Sequence, residues 1–302
     1  MSEGQGSTTA APFYFVAIHG GAGYHPPSSD SSNRRSLRTA ISSALTTLTT
    51  VSSSEKSSGD GSPGTRLTAL NTATKLIAAL EDSSEFNAGY GSNLTFDGDV
   101  ECDAALMDGG ASDGCYTGTF GGVGAVRGVR NPVLLARCVL DARRQQQHSN
   151  AGLGLGRVPP LLLVGEGAVR FAAERGVVMQ PAEMVAPRAR REWEVWRDRW
   201  EQEQERERER EERRTSVVGD SKDSEVGVDL AMLRARQDTV GAVVVQGDAG
   251  DVAAGVSRCV YSCFHEEDGW SIRWFSGGLL LKPSGRIGEV GWFDATRSVG
   301  VG

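Results

Sequence analysis

Apolar and polar residues alternate along this chain in two rhythms. Residues 13–18 (FYFVAI) form a short unbroken apolar run, which predicts a buried strand ending at the small residues His19, Gly20, Gly21, Ala22 and Gly23. Leu37, Ile41, Ala44, Leu45 and Leu48 recur at helical spacing and predict a helix over 36–50. Leu67, Leu70, Ile77 and Leu80 predict another over 67–80. Asp97-Gly98 between 93–96 and 100–106 reads as a hairpin turn. Asn131-Pro132 opens a helix, with a capping residue followed by proline at the first position. A shorter helix over 166–174 is closed by Gly176. Two apolar runs, 239–245 and 252–256, flank Gly247-Asp248-Ala249-Gly250 and predict a second hairpin, whose first strand begins at Thr239.

The stretch 188–214 breaks this pattern. It holds ten Arg and ten acidic residues with no Gly or Pro, so it is locally neutral. As one helix it would span about 40 Å. Trp193, Trp196 and Trp200 share one face, and the reading is a solvated helix pinned by that stripe. Interleaved acids cancel the positive field that a nuclear-import segment would need. Residues 52–64 and 215–228 read as loop and linker.

Composition narrows the class. Gly reaches 39 of 302 residues, about twice ordinary usage, which points to tight turns and close backbone contacts. A formal net charge of −7 disfavours a nucleic-acid partner. No apolar run approaches the roughly 18 residues a membrane helix needs. No secretory signal is readable before residue 13, and five scattered Cys form no disulfide framework. The expectation is an intracellular protein, cytoplasmic or nuclear, with neither membrane nor nucleic acid as a partner. A P-loop is excluded by the missing Gly-Lys-Ser/Thr, and a dinucleotide fingerprint at Gly122 and Gly124 fails because Arg127 stands where the third glycine belongs.

Several segments in register carry a resemblance. They are His19-Gly20-Gly21-Ala22-Gly23-Tyr24-His25, Asn87-Ala88-Gly89-Tyr90-Gly91-Ser92-Asn93-Leu94, 101–109, Asn131-Pro132, 159–167 and 238–245. Together they resemble the type-2 asparaginase group of N-terminal-nucleophile hydrolases, and within it the threonine aspartases (taspase). The resemblance implies an α+β fold, a four-layer αββα sandwich with helices outside two packed sheets. It divides the chain into an α-subunit portion, 1–238, including the charged helix and linker at 188–228, and a β-subunit portion, 239–302.

It also implies chemistry. The chain would cut itself between Asp238 and Thr239, leaving Thr239 as a new N-terminus. The freed α-amine, with a reference pKa near 7.7–8.0, would serve as the base for the Thr239 hydroxyl. Asparaginases of the group usually carry Gly before the nucleophile, whereas the aspartases carry Asp, as here. With the long charged segment before it, Asp238 favours a threonine endopeptidase cutting proteins after Asp. An L-asparaginase or isoaspartyl peptidase is the alternative, and an inactive truncated relative a third reading. Ser276 matches the family's second hydroxyl, and Arg286 with Glu289 its substrate-binding segment. An arginine there can hold a carboxylate by two parallel hydrogen bonds. Asn87 and Asn93 match a supporting loop, or serve as plain turn residues. Carbonyls of the loop 80–91 would coordinate a structural sodium ion. His19 and His25 take structural roles. No further cofactor is implied. The substrate would be a protein or peptide, and αβ units would pair into a dimer.

Two departures stand out. Residues 258–275 interrupt the family's passage from Val256-Ser257 to Ser276-Gly277-Gly278. They hold Cys259, Cys263 and His265, one ligand short of a zinc set. After Glu289 the resemblance fades, so the C-terminal part reads as truncated.

Overall fold

The computed structural model describes residues 14–22, 27–54, 68–109, 119–148, 159–177, 183–216, 239–246, 251–259, 274–280 and 291–294. Eight strands form one sheet: β1 (Tyr14–Ala22), β2 (Glu101–Asp108), β3 (Thr119–Arg127), β4 (Leu162–Val164), β5 (Thr239–Gln246), β6 (Asp251–Cys259), β7 (Trp274–Leu280) and β8 (Gly291–Asp294). Their order is β4-β3-β2-β6-β5-β1-β7-β8. Only β3 and β4 run parallel, joined through helix α3 (Pro132–His148).

One face of the sheet carries the core. Val16 and Ile18, Cys102, Ala104 and Leu106, and Val240, Ala242 and Val244 point to it on alternate positions. Helix α2 (Ala69–Glu81) lies over β5 and β6 and buries Leu70, Ala73, Leu76, Ile77 and Leu80. The Thr68 hydroxyl starts it by accepting from the Asn71 amide at 3.1 Å. Helix α3 lies over β3 and β2, and α1 (Asp30–Ser54) packs on α2 and β1. Helix α4 (Gly165–Glu174) adds Ala168 and Ala172 to the same core.

The opposite face is open. Phe15, Met107, Val243 and Val256 are 43%, 55%, 43% and 46% exposed on it. Among the described residues there is thus one helix layer and one sheet of the expected four layers.

Three local readings differ from the structure. The segment 19–22 continues β1 rather than turning, because His19 pairs with both Gly241 and Ser276. Gly20 is required in that strand, since a Cβ there would meet the Phe86 ring at 2.5–3.0 Å. The first arm of the Asp97-Gly98 hairpin is not a strand. Thr95 and Asp99 close a tight turn, with Gly98 at φ +85°. The interrupting segment is partly strand: Arg258 and Cys259 extend β6, and Trp274 and Phe275 open β7. Cys263 and His265 lie outside the described residues.

The charged stretch forms helix α5 (Pro187–Ser216). Trp193 Nε1 donates to Thr95 O at 2.9 Å and Phe96 O at 3.2 Å. Phe96 meets Trp200 edge to face at 4.9 Å, and the Arg197 guanidinium stacks on Trp193 at 4.7 Å. The tryptophan stripe therefore pins the helix as expected, and past Trp200 it is largely exposed, with pairs such as Arg206–Glu203. Trp193→Phe keeps an aromatic ring, smaller than the indole, and loses the donor. It is expected to cost about 1 kcal/mol in urea unfolding. An unchanged midpoint would show that the indole bond contributes nothing.

Candidate active site

Thr239 opens β5, half-buried, on the open face of the sheet. Its cross-strand partner on β6 is Arg258. One same-face step along, Gly241 pairs with His19 on β1, and His19 pairs in turn with Ser276 on β7. Thr239 and Ser276 are thus brought to one end of the sheet, two strands apart, with His19 between them. A Cβ at Gly241 would overlap the His19 ring, so the imidazole lies directly over this glycine. Burial lowers the His19 pKa, and a hydrogen bond to the Thr239 backbone offsets part of that. Burial thus favours the neutral form of the ring beside the strand that begins at Thr239.

Behind this end lies a buried polar cluster. The Asn87 side-chain oxygen accepts from the Asn93 amide at 2.7 Å, and the Asn87 carbonyl accepts from the Cys259 amide at 3.0 Å. The expected supporting pair is therefore joined to itself and to the last residue of β6. Glu81, at the end of α2, is fully buried, and its carboxyl accepts from the Val133 amide at 3.0 Å. Burial pushes its pKa up to about 8, with Ser257, Val133 and Asn131 opposing that shift.

A family profile described as Asparaginase matches residues 12–259. The chain belongs to the asparaginase family. The chain is similar to the isoaspartyl peptidase/L-asparaginase of Xenopus laevis, with 33% identity over 91% of this chain and 63% of that protein. It is similar to the one from Rattus norvegicus at 39% identity over 38% of this chain and 28% of that protein. A plant-type L-asparaginase of Thermococcus kodakarensis is 30% identical over 74% of this chain and 55% of that protein. This asparaginase-family chain therefore spans less than two thirds of the length of these relatives. The family is one of hydrolases.

Backbone carbonyls of the loop 80–91 crowd around two of its glycines. The carbonyls of Ser83 and Phe86 close over Gly91, where a Cβ would strike both, and the Glu81 carbonyl lies against Gly89. These are neutral oxygens of the kind hard cations take. Arg188 of α5 secures the same loop from outside, donating to Ser84 O at 3.1 Å and Gly91 O at 2.5 Å.

Asp238, Arg286 and Glu289 lie outside the described residues. Sequence reasoning missed Arg258, which faces Thr239 and reaches Asp103 Oδ2 at 3.2 Å. It also missed Glu81 and the pairing of Cys102 with Cys259. Strand register sets Arg258 against Thr239 and Cys102 against Cys259, and burial at the end of α2 sets the environment of Glu81. Among the described residues no helix is long and apolar enough to cross a membrane.

Proposed function

We propose that this chain carries the nucleophile of a self-processing threonine hydrolase acting on β-aspartyl amides: the side chain of asparagine and the isoaspartyl peptide bond. The names of the relatives support that substrate class. The single observation behind the chemistry is the place of Thr239, at the first position of a central strand and on the open face. The Thr239 hydroxyl attacks the Asp238 carbonyl carbon. The peptide C–N bond breaks, its nitrogen takes the proton, and an ester remains on the Thr239 oxygen. Water hydrolyses that ester, freeing the Asp238 carboxylate and the Thr239 α-amine. In turnover the amine takes the hydroxyl proton as the oxygen attacks the β-aspartyl carbonyl, and the leaving amine departs protonated. Water then releases aspartate. The β-branched side chain restricts χ1 and so limits where the hydroxyl can point. His19 holds the Thr239 backbone, Ser276 supplies the second hydroxyl, and Arg286 with Glu289 receives the substrate's charged groups. Residues 80–91 would hold a sodium ion that stiffens the loop beneath the site.

A second reading rests on Asp238: an endopeptidase cutting after Asp would find its own product residue at the junction. The test is hydrolysis of free L-asparagine, a β-aspartyl dipeptide and a peptide with an internal Asp. Aspartate release from the first two, with the third uncut, is expected. Cleavage of the third alone would replace this reading with the endopeptidase, and inertness toward all three would leave a non-catalytic relative.

A further inference from the structure

Cys102 and Cys259 stand directly across from each other in the antiparallel pair β2–β6. The Cys259 amide donates to the Asn87 carbonyl, not to Cys102. The two residues therefore do not exchange a ladder bond on that side. In antiparallel sheets this kind of pair brings the Cα atoms to about 4.5 Å and the side chains closest together. That separation falls within the range a disulfide needs, roughly 4.4–6.8 Å. Both side chains point to the core face, and both thiols converge on one short segment. Cys102 Sγ lies 3.1 Å from the Ser92 hydroxyl, and Cys259 Sγ donates to the Asn93 carbonyl at 3.0 Å.

We propose that Cys102 and Cys259 form a redox-sensitive staple, a dithiol that a low-molecular-weight disulfide such as oxidised glutathione converts to a cross-strand disulfide. One protein thiolate attacks the glutathione disulfide, forming a mixed disulfide and releasing one glutathione. The second protein thiolate attacks the protein sulfur of that mixed disulfide, and the second glutathione leaves. Two protein thiols are oxidised, one glutathione disulfide is reduced, and the two thiol protons end on the released glutathiones. The link would tie β2 to β6 one position beyond Arg258, the residue facing Thr239. Burial pushes both thiols up, Cys102 to about 12, so exchange in the closed fold is slow and waits for the end of β6 to open. The same burial slows reduction of the formed link, which likewise waits for that end to open.

The full-length Thr239→Ala chain is suited to the test, because the answer then does not depend on self-cleavage. It is incubated with oxidised glutathione, and separately unfolded and refolded in a glutathione redox buffer, then digested without reductant for mass spectrometry. The expected product of at least one route has lost two hydrogen masses and yields a Cys102–Cys259 linked peptide. Its melting temperature is higher by several degrees, and dithiothreitol reverses the gain. Cys102→Ser and Cys259→Ser each abolish the link, and Cys138→Ser leaves it. Pairing through Cys263 or Cys138, glutathione adducts without an internal link, or two unchanged thiols after both routes would overturn the proposal.

Discussion

Thr239→Ala will leave the purified chain at its full mass, while the parent is cut into two polypeptides, the second beginning Thr-Val-Gly-Ala. The variant lacks the oxygen that attacks the Asp238 carbonyl, and it lacks the nucleophile for any later substrate. Where a nucleophile is removed from a comparable site, only the contribution of binding and of the remaining polar groups survives. A drop of at least about 10⁴-fold in turnover is therefore expected. Thr239 is only half-buried, so the melting temperature should hardly move, and that separates loss of chemistry from loss of fold. Intact mass and N-terminal sequencing after incubation decide it. An equal cut in the variant would mean that another group, or a contaminating protease, performs the cleavage. An uncut parent would remove self-processing from this polypeptide.

Glu81→Gln should make the protein more stable at neutral pH. The folded chain holds the Glu81 proton up to about pH 8, whereas the ordinary value is 4.5. The sign follows from proton counting. Below pH 4.5 the carboxyl is neutral in both states and folding carries no penalty. Between 4.5 and 8 the unfolded chain releases the proton and the folded chain keeps it. Stability is therefore lost as pH rises through that window, by up to about 1.4 kcal/mol per unit. Glutamine keeps an oxygen for the Val133 amide and sets an N–H beside the Ser257 hydroxyl, without a charge to desolvate. A gain of roughly 2–3 kcal/mol at pH 7 is expected, with little difference at pH 4.5. Urea unfolding at pH 5, 6, 7 and 8 reads both the gain and the flattened slope. Parallel curves for parent and variant would show that Glu81 ionises freely within the fold.

Much of the fold was legible from local pattern. Helices α2, α3 and α4 fall close to where their apolar spacing and capping residues put them, because those signals act within a few residues. The tryptophan face of α5 was readable for the same reason. Strand β1 was legible only as far as residue 18, since its extension through His19 and Gly20 depends on Gly241 and Ser276, more than 200 positions away. Thr239 and Ser276 could be singled out by motif, and register then set them around His19. Arg258 and Glu81 carry no motif, and the incomplete zinc set around Cys259 did not point to its partner Cys102. Their environments arise from strand pairing and burial, which no window along the chain reveals.

The order of the strands bears on what a cut before Thr239 would produce. Residues ahead of that position supply β1 to β4, and residues after it supply β5 to β8. In the sheet these sets interleave like the teeth of two combs, meeting at β2–β6, β5–β1 and β1–β7. A nick would leave every ladder bond in place, and three seams would have to part before the pieces could separate. Neither piece could complete the sheet alone: the first would hold β1 bare on both edges, and the second would lack the strand between β5 and β7. The two products of such a cut would be lifelong companions, made together and lost together.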